Sequence, residues 1–421
     1  MTTVVWPHRA NPLLGIMKAS SSTPVSAAAT PVETLRVVMA GGGTGGHLYP
    51  GLAVAAALRT RATASNRHLE IFWAATPRSV DQRLLSSFGD HYIRQPVQPL
   101  VKSIKKLWPF LRGWRQSCRF WSGQFSREKT DCVVALGGYA AGPAAYVAAK
   151  RGIPVILLNP DALPGLANRF LLKRSDLIIT QWPLAESYTQ NLKGEVKALG
   201  CPIRPELTQR SREQAGQLLG LDTSKRTLVI TGASLGAKTI NDAFLVMLGD
   251  QTIRMAFEAG KNAGGKANWQ IVHLAGVQQA EAVRAAYAKY PDVQARVIGY
   301  CDDMASVWAM ADLTIARAGA STCAELTACG VPAILLPYPF HKDMHQKANA
   351  MALLSAGAAV IVDDAKQPEL NALAIKKALH SLLYDDEIRL EMADAARIAG
   401  KPAAADQIAE EILSRIGASS R

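Results

Sequence analysis

The stretch Leu35-Arg-Val-Val-Met-Ala-Gly-Gly-Gly-Thr-Gly-Gly-His47 decides the fold. It opens as a short, mostly apolar run of the length of a buried strand and then breaks into glycines. Residues 53–59 beyond it read as a helix. Strand, glycine turn and helix in that order are the opening unit of a doubly wound α/β sheet. Glycines let the backbone turn tightly and bring N–H groups up to an anion, and the helix dipole favours negative charge at that end.

The same grammar continues outward. Residues 69–75, 132–136 and 153–158 read as further strands of a parallel sheet. At residues 227–231 the pattern restarts, with the loop Gly232-Ala-Ser-Leu-Gly236, a helix over 239–248, and strands at 271–274, 295–298, 313–316 and 333–336. Two segments echo each other. Leu136-Gly-Gly-Tyr-Ala-Ala-Gly-Pro143 leads through a helix to Gly152-Ile-Pro-Val-Ile-Leu-Leu158, and Ala318-Gly-Ala-Ser-Thr322 leads to Gly330-Val-Pro-Ala-Ile-Leu-Leu336. The expected organisation is an extension over 1–33, a Rossmann-like domain over 34–201, a second over 202–385 and a helical segment over 386–421. Pro202 and Pro205 suit a stiff hinge, and the cleft between two such halves is the natural ligand site.

Composition narrows the class. A chain of 421 residues is too long for one typical core, and 49% hydrophobic with 19% charged residues is globular composition. No apolar run reaches the roughly 18–20 residues of a membrane-spanning helix. The six cysteines include no Cys-x-x-Cys pair, which fits a reduced compartment and argues against structural zinc. Net charge is +13, and residues 91–127 hold no acid but contain Arg94, Lys102, Lys105, Lys106, Arg112, Arg115, Arg119 and Arg127. Trp108, Phe110, Leu111, Trp114, Phe120 and Trp121 are interleaved with them. A solvated basic helix with its aromatics packed inward is one reading. An anionic membrane surface is the other, and tryptophan favours it over nucleic acid. Residues 1–32 lack acids and are rich in serine and alanine, but carry too few basic residues for a transit peptide and no apolar core for a secretory signal. Disorder is the expectation there.

Several motifs admit two readings. Gly41-x-Gly43-x-x-Gly46 fits a dinucleotide fingerprint, but the second strand ends Phe72-Trp-Ala-Ala-Thr-Pro77 without the acid a ribose needs. The second glycine loop is either an ordinary tight turn or, with Ser234, a second anion cradle. Thr322-Cys-Ala-Glu325 fits a capping box; alternatively, Glu325 accepts hydrogen bonds from ribose hydroxyls. His341 and His345 stand four apart, as metal ligands can, yet the segment reads better as sugar-hydroxyl contacts. No Asp-x-Asp occurs in the chain. His47, on the phosphate-type loop with an imidazole that titrates near neutrality, is the general-base candidate.

Taken together, Gly42-Gly-Thr-Gly-Gly-His47, Gly137-Gly-Tyr-Ala-Ala-Gly-Pro143, Gly232-Ala-Ser-Leu-Gly-Ala237, Asp302-Asp-Met304, Arg317-Ala-Gly-Ala-Ser-Thr322 with Glu325, and His341-Lys-Asp343 with Gln346 and Asn349-Ala350 closely resemble the MurG family. The match runs in order from about residue 35 to 400. It implies a GT-B fold, two Rossmann-like domains facing an interdomain cleft, and inverting transfer of GlcNAc from UDP-GlcNAc to the MurNAc 4-hydroxyl of lipid I, giving lipid II for peptidoglycan. By position it implies donor contacts at Thr44, Gly45, Gly46, Asp161, Arg204, Ser234, Cys301, Ala320, Ser321, Thr322, Glu325, Asp343 and Gln346. The acceptor diphosphate is expected at Gly42, Gly43, Gly137, Gly138, Tyr139 and Gly142. The resemblance implies no cofactor, no metal and no nucleic acid, and a peripheral position on the cytoplasmic face of the inner membrane.

One departure stands out. The family usually reads His-Glu-Gln-Asn-Gly before Gly-Leu-x-Asn, whereas this chain has Leu158-Asn-Pro-Asp-Ala-Leu-Pro-Gly-Leu-Ala-Asn168. Asp161 therefore falls on the Asn that contacts the donor sugar in relatives, which removes an N–H donor and adds charge. The alternatives to a lipid I transferase are a GT-B transferase acting on another glycolipid such as diacylglycerol, a nucleotide-binding module without transfer activity, and a nicotinamide enzyme.

Overall fold

The computed structural model describes residues 33–86, 88, 90–99, 104–232, 236–258, 268–340 and 343–419. Of the expected N-terminal extension only Glu33 falls among them. Two parallel sheets organise the chain. The first contains β1 (Thr34–Gly41), β2 (His68–Ala75), β3 (His91–Arg94), β4 (Cys132–Gly137), β5 (Val155–Asn159), β6 (Leu177–Thr180) and β7 (Glu195–Lys197), in the order β3-β2-β1-β4-β5-β6-β7. The second contains β8 (Arg226–Thr231), β9 (Trp269–Leu274), β10 (Ala295–Ile298), β11 (Leu313–Ala316), β12 (Ala333–Leu335) and β13 (Ala359–Ile361), in the order β10-β9-β8-β11-β12-β13. Each is doubly wound. Strand order reverses between β1 and β4 and between β8 and β11, where the chain opens a crevice at the carboxyl ends.

Strands such as β4 and β5 are buried along their whole length, because helices cover both faces of a parallel sheet. In the first half α1 (Gly45–Ala64) covers one face. A short α2 (Ser79–Leu85) follows β2, and the other face carries α3 (Ile104–Arg127), α4 (Ala141–Lys150) and α5 (Leu166–Leu172). The basic–aromatic stretch forms most of α3, but its aromatics divide. Trp121 is fully buried and its indole N–H donates to Gln95 Oε1 at 3.0 Å, whereas Trp108 is 74% exposed.

The segment over 386–421 divides as well. The helix Asp386–Ala399 packs on the second half. The helix Ala404–Ser419 crosses back and seals α1, burying Ala405, Ile408, Ala409, Ile412 and Ile416 in the core of the first half. Lys197–Glu411 (2.7 Å) and Arg415–Glu195 pin it to β7.

Candidate active site

Between the halves lies a cleft of about 1050 Å³, reached by the ends of β1, β4 and β5 on one side and of β8, β9 and β11 on the other. Thr44, Gly45, Gly46 and His47 line it from the start of α1. Thr44 makes no side-chain cap and the first turn holds no acid, so the helix presents its uncapped N–H groups and positive dipole end. The glycines before it serve from behind. Gly43 N–H donates to both oxygens of the buried Asp81, at 2.8 and 2.9 Å, and Asp81 also takes Thr76 N–H at 2.9 Å and Thr76 Oγ1 at 2.7 Å. A Cβ on Gly42 would stand 2.4 Å from that carboxylate. Sequence reasoning passed over Asp81, since a single acid in a short helix carries no pattern.

His47 Nδ1 lies 3.3 Å from Gly42 O and 3.2 Å from Thr44 Oγ1. A carbonyl only accepts, so a neutral ring carries its hydrogen on Nδ1 and leaves Nε2 as the basic lone pair. The ring rests on the Gly137–Gly138 turn: a Cβ on Gly137 would be 3.2 Å from His47 Cδ2, and one on Gly138 3.0 Å from Cε1. Both glycines have positive φ, +98° and +72°. Burial pulls His47 below the usual imidazole range, and Asp161, the Gly42 carbonyl and Asp81 draw it partly back. Gly138, Tyr139 and Gly142 continue the lining.

The second half supplies another helix start. The helix Ala320–Cys329 begins at Gly319 with no side-chain cap and no acid in its first turn, and Ala320, Ser321 and Thr322 line the cleft. The capping-box reading of Thr322 and Glu325 fails here. The helix starts two residues before Thr322, and Glu325 Oε2 accepts the Trp308 indole N–H at 2.8 Å. Burial raises the Glu325 carboxyl above its ordinary value, against the Trp308 hydrogen bond and the Arg204 charge. Arg204 lies over the Tyr49 ring at 5.1 Å and donates to Asp302 O at 3.4 Å. Cys301 adjoins it, its thiol pushed up by burial.

In the second glycine loop Gly232 and Gly236 have no room for side chains; Ser234 lies outside the described residues. His341 does too, while His345 Nε2 pairs with Asp343 at 2.9 Å. Gln346 accepts Tyr338 N–H at 2.9 Å, and Asp343, His345 and Gln346 all line the cleft. Among the described residues no three His, Cys, Asp or Glu side chains gather as a metal site.

Polar contacts join the halves across the cleft. Tyr49 and Tyr300 hydroxyls are 3.2 Å apart, and Asp161 Oδ1 accepts Asn349 Nδ2 at 2.9 Å. Beside Gly142 the cleft runs on into an aromatic arm of Phe110, Trp114, Tyr146 and Phe170, with the Arg174 guanidinium 4.0 Å from the Phe170 ring centre.

Two Rossmann-like halves that turn uncapped helix starts and a polar floor into one groove define a GT-B-type, nucleotide-diphosphate-binding fold. The first half matches the glycosyltransferase family 28 N-terminal domain over residues 37–180, and the second matches the family 28 C-terminal domain over 227–408. The chain belongs to glycosyltransferase family 28. It is 32% identical over 396 residues to the UDP-N-acetylglucosamine–N-acetylmuramyl-(pentapeptide) pyrophosphoryl-undecaprenol N-acetylglucosamine transferase of Desulforamulus reducens, covering 90% of this chain and all of that one. The enzyme of the same name from Moorella thermoacetica is 34% identical over 395 residues, covering 91% and 99%. Among solved structures, Acinetobacter baumannii MurG superposes with a TM-score of 0.66 at 29% identity, covering 90% of this chain and 99% of that one.

Proposed function

We propose that this chain transfers GlcNAc from UDP-GlcNAc to the 4-hydroxyl of MurNAc in lipid I, forming a β-1,4 bond with inversion and releasing UDP and lipid II for peptidoglycan synthesis. What carries the reading is the single cleft that gathers both helix starts, His47, Glu325 and Gln346. In the proposed step the acceptor O–H gives its proton to His47 Nε2 while its oxygen bonds the anomeric carbon. The bond from that carbon to the β-phosphate oxygen breaks, and its electron pair leaves with UDP. The uncapped start of the Ala320–Cys329 helix and Arg204 face the charge that develops on the leaving diphosphate. Thr44, Gly45 and Gly46 stand where donor and acceptor meet. Glu325 suits the ribose hydroxyls, Gln346 and Asp343 the GlcNAc hydroxyls, and the backbone at Cys301 the uracil. The turn Gly138-Tyr-Ala-Ala-Gly142 suits the acceptor diphosphate, and the aromatic arm beside it the first part of the lipid.

We also infer a peripheral seat on the cytoplasmic face of the inner membrane. No described helix is long and apolar enough to cross a membrane. On α3, however, Lys105, Arg112, Arg115 and Arg119 are exposed together with Leu107, Trp108 and Phe120. That combination fits an anionic bilayer surface. Purified protein given UDP-GlcNAc with a lipid I analogue, and separately with diacylglycerol, tests the chemistry. Disaccharide formed only on the lipid I analogue supports the reading, and transfer only to diacylglycerol defeats it. Flotation with anionic liposomes tests the membrane seat, and wild-type protein left at the bottom of the gradient counts against it.

A further inference from the structure

Four side chains interlock where the halves meet, two from each. Tyr49, one turn into α1, and Arg83, near the end of α2, come from the first half; Arg204 and Tyr300 come from the second. Each cation lies over the aromatic ring of the other half. The Arg204 guanidinium stands 5.1 Å from the Tyr49 ring centre, and the Arg83 guanidinium 4.9 Å from that of Tyr300. The phenols close the set: their oxygens are 3.2 Å apart, and Arg83 Nη2 donates to the Tyr300 hydroxyl at 3.3 Å.

The Tyr49 ring owes its place to a missing side chain. It folds back over the start of its own helix, the direction that long helical side chains take, and rests on Gly45. A Cβ there would stand 3.1 Å from Tyr49 Cε2 and 3.2 Å from Cδ2. One ring therefore touches the uncapped start of α1 and carries the cation of the opposite half.

Arg204 is held without being used up. Its Nη1 reaches Asp302 O at 3.4 Å and lies 3.8 Å from Glu206 Oε1, while among the described residues Nε and Nη2 have no hydrogen-bond partner. A planar guanidinium stacked by one face keeps its N–H edge for an anion, and a guanidinium already placed loses less side-chain freedom when the anion arrives. Tyr49 and Arg204 line both the main cleft and a second cavity of about 430 Å³, which Leu52, Leu84 and Phe88 help to enclose. The stacked pair is thus a partition between the two spaces. The segment Tyr300-Cys-Asp302 ties that partition to the nucleotide side: Tyr300 meets Tyr49, the Asp302 carbonyl meets Arg204, and Cys301 between them lines the cleft.

We propose that Tyr49 is a positioning residue for the donor diphosphate: its ring, reaching across from the first half, holds the Arg204 guanidinium by one face and leaves the N–H edge for the phosphates, while Tyr300 and Arg83 secure the ring. The cation of the second half is then in place only while the first half is docked against it. The inference rests on Arg204 meeting the diphosphate.

Tyr49→Leu removes the ring, Tyr49→Phe keeps the ring and loses the hydroxyl, and Arg204→Ala removes the cation. NMR titration of the full chain with UDP, and separately with uridine, reads the affinities. Tyr49→Leu should weaken UDP by about 3–10-fold, the worth of a partly desolvated cation–π contact, and leave uridine unchanged. Tyr49→Phe should recover most of the UDP affinity. Adding Tyr49→Leu to Arg204→Ala should cost nothing further, because the ring acts only through the guanidinium. Wild-type UDP affinity in Tyr49→Leu overturns the proposal. So does an equal loss for uridine, which marks a merely structural contact, or a loss that persists beside Arg204→Ala. If Arg204→Ala alone binds UDP as tightly as the wild type, Arg204 does not meet the diphosphate, and the proposal falls with that premise.

Discussion

Gly138→Ala isolates the placement of His47, the proposed base, from the stability of its turn. At φ +72° an alanine pays left-handed strain of about 1–2 kcal/mol, and the added Cβ would lie 3.0 Å from His47 Cε1 and 3.1 Å from Nδ1. Those separations are tighter than van der Waals contact, so the ring must retreat by some tenths of an ångström. The retreat lengthens a hydrogen bond from Nδ1 to Gly42 O that is already 3.3 Å. Misplacing a reacting group by 1 Å can cost roughly 100-fold, so a partial retreat predicts a loss of kcat of about 5–20-fold. Gly152 supplies the control: its φ is +71°, and nothing lies within 4 Å of an added Cβ. Gly152→Ala should lower Tm by the same few degrees and leave kcat alone. The assay is kcat with a lipid I analogue at saturating UDP-GlcNAc, with thermal unfolding of both variants. Equal kcat in the two variants at equal loss of Tm would refute the reasoning.

Other outcomes follow from the same coordinates. Glu325→Gln keeps an oxygen for Trp308 but loses the charge, so calorimetry should give UDP binding weaker by roughly 10–100-fold, as for a charged hydrogen bond, with little difference left between UDP and 2′-deoxy-UDP. His273, buried between Tyr287 and Asn241, has its pKa drawn down to about 3. Its folded value lies below its unfolded one, so its contribution is intact above the unfolded pKa and drains as pH falls from about 6.5 towards 3. Urea unfolding across that range should show the slope, and His273→Gln should flatten it. His47 is shifted in the same direction, so the acid limb of kcat/KM belongs below about 6.5; a limb above that value would contradict its burial. Truncation after Gly400 strips three buried isoleucines from α1, at about 1.5–3 kcal/mol each, and hydrogen exchange should then rise in the first half, although the deletion is at the far end of the chain.

The two-sheet architecture was legible because central strands such as β4 and β5 are mostly apolar runs and the glycine turns after β1, β4 and β8 mark strand ends. Residues 295–298 and 313–316 read as β10 and β11 to the residue. The edge strands β3, β7 and β13 and the inner β6 were not marked; β3 (His-Tyr-Ile-Arg) and β7 (Glu-Val-Lys) lack the apolar run that singled out equally short strands such as β11, and no glycine turn follows β6 directly. The helix Ala404–Ser419 was legible as a helix, but an apolar stripe does not say which core it serves. At the site, the glycine loops and His47 were visible as chemistry, whereas Asp81, Trp308 and Asn168 were not. Each of these acts by where tertiary packing puts it, against Gly43, Glu325 and the edge of Gly137.

The return of the last helix changes how the cleft can move. The chain passes between the halves twice, near Gly200 and again near Lys401, and the two passages touch: a Cβ on Gly200, whose φ is +107°, would stand 2.8 Å from Lys401 Cβ and 3.1 Å from Ala404 Cβ. Gly400 is equally pressed, its Cβ position 2.5 Å from Thr327 O. Two chain passages packed side by side define one line, and rotation about that line leaves their own contacts intact while moving groups far from it the most. The Tyr49–Tyr300 and Asp161–Asn349 contacts are polar and join the two halves. His47 belongs to one body and Gln346 to the other. Under the proposed roles, base and donor sugar therefore meet only across this seam, on which Gly200 and Gly400 leave no room for a side chain.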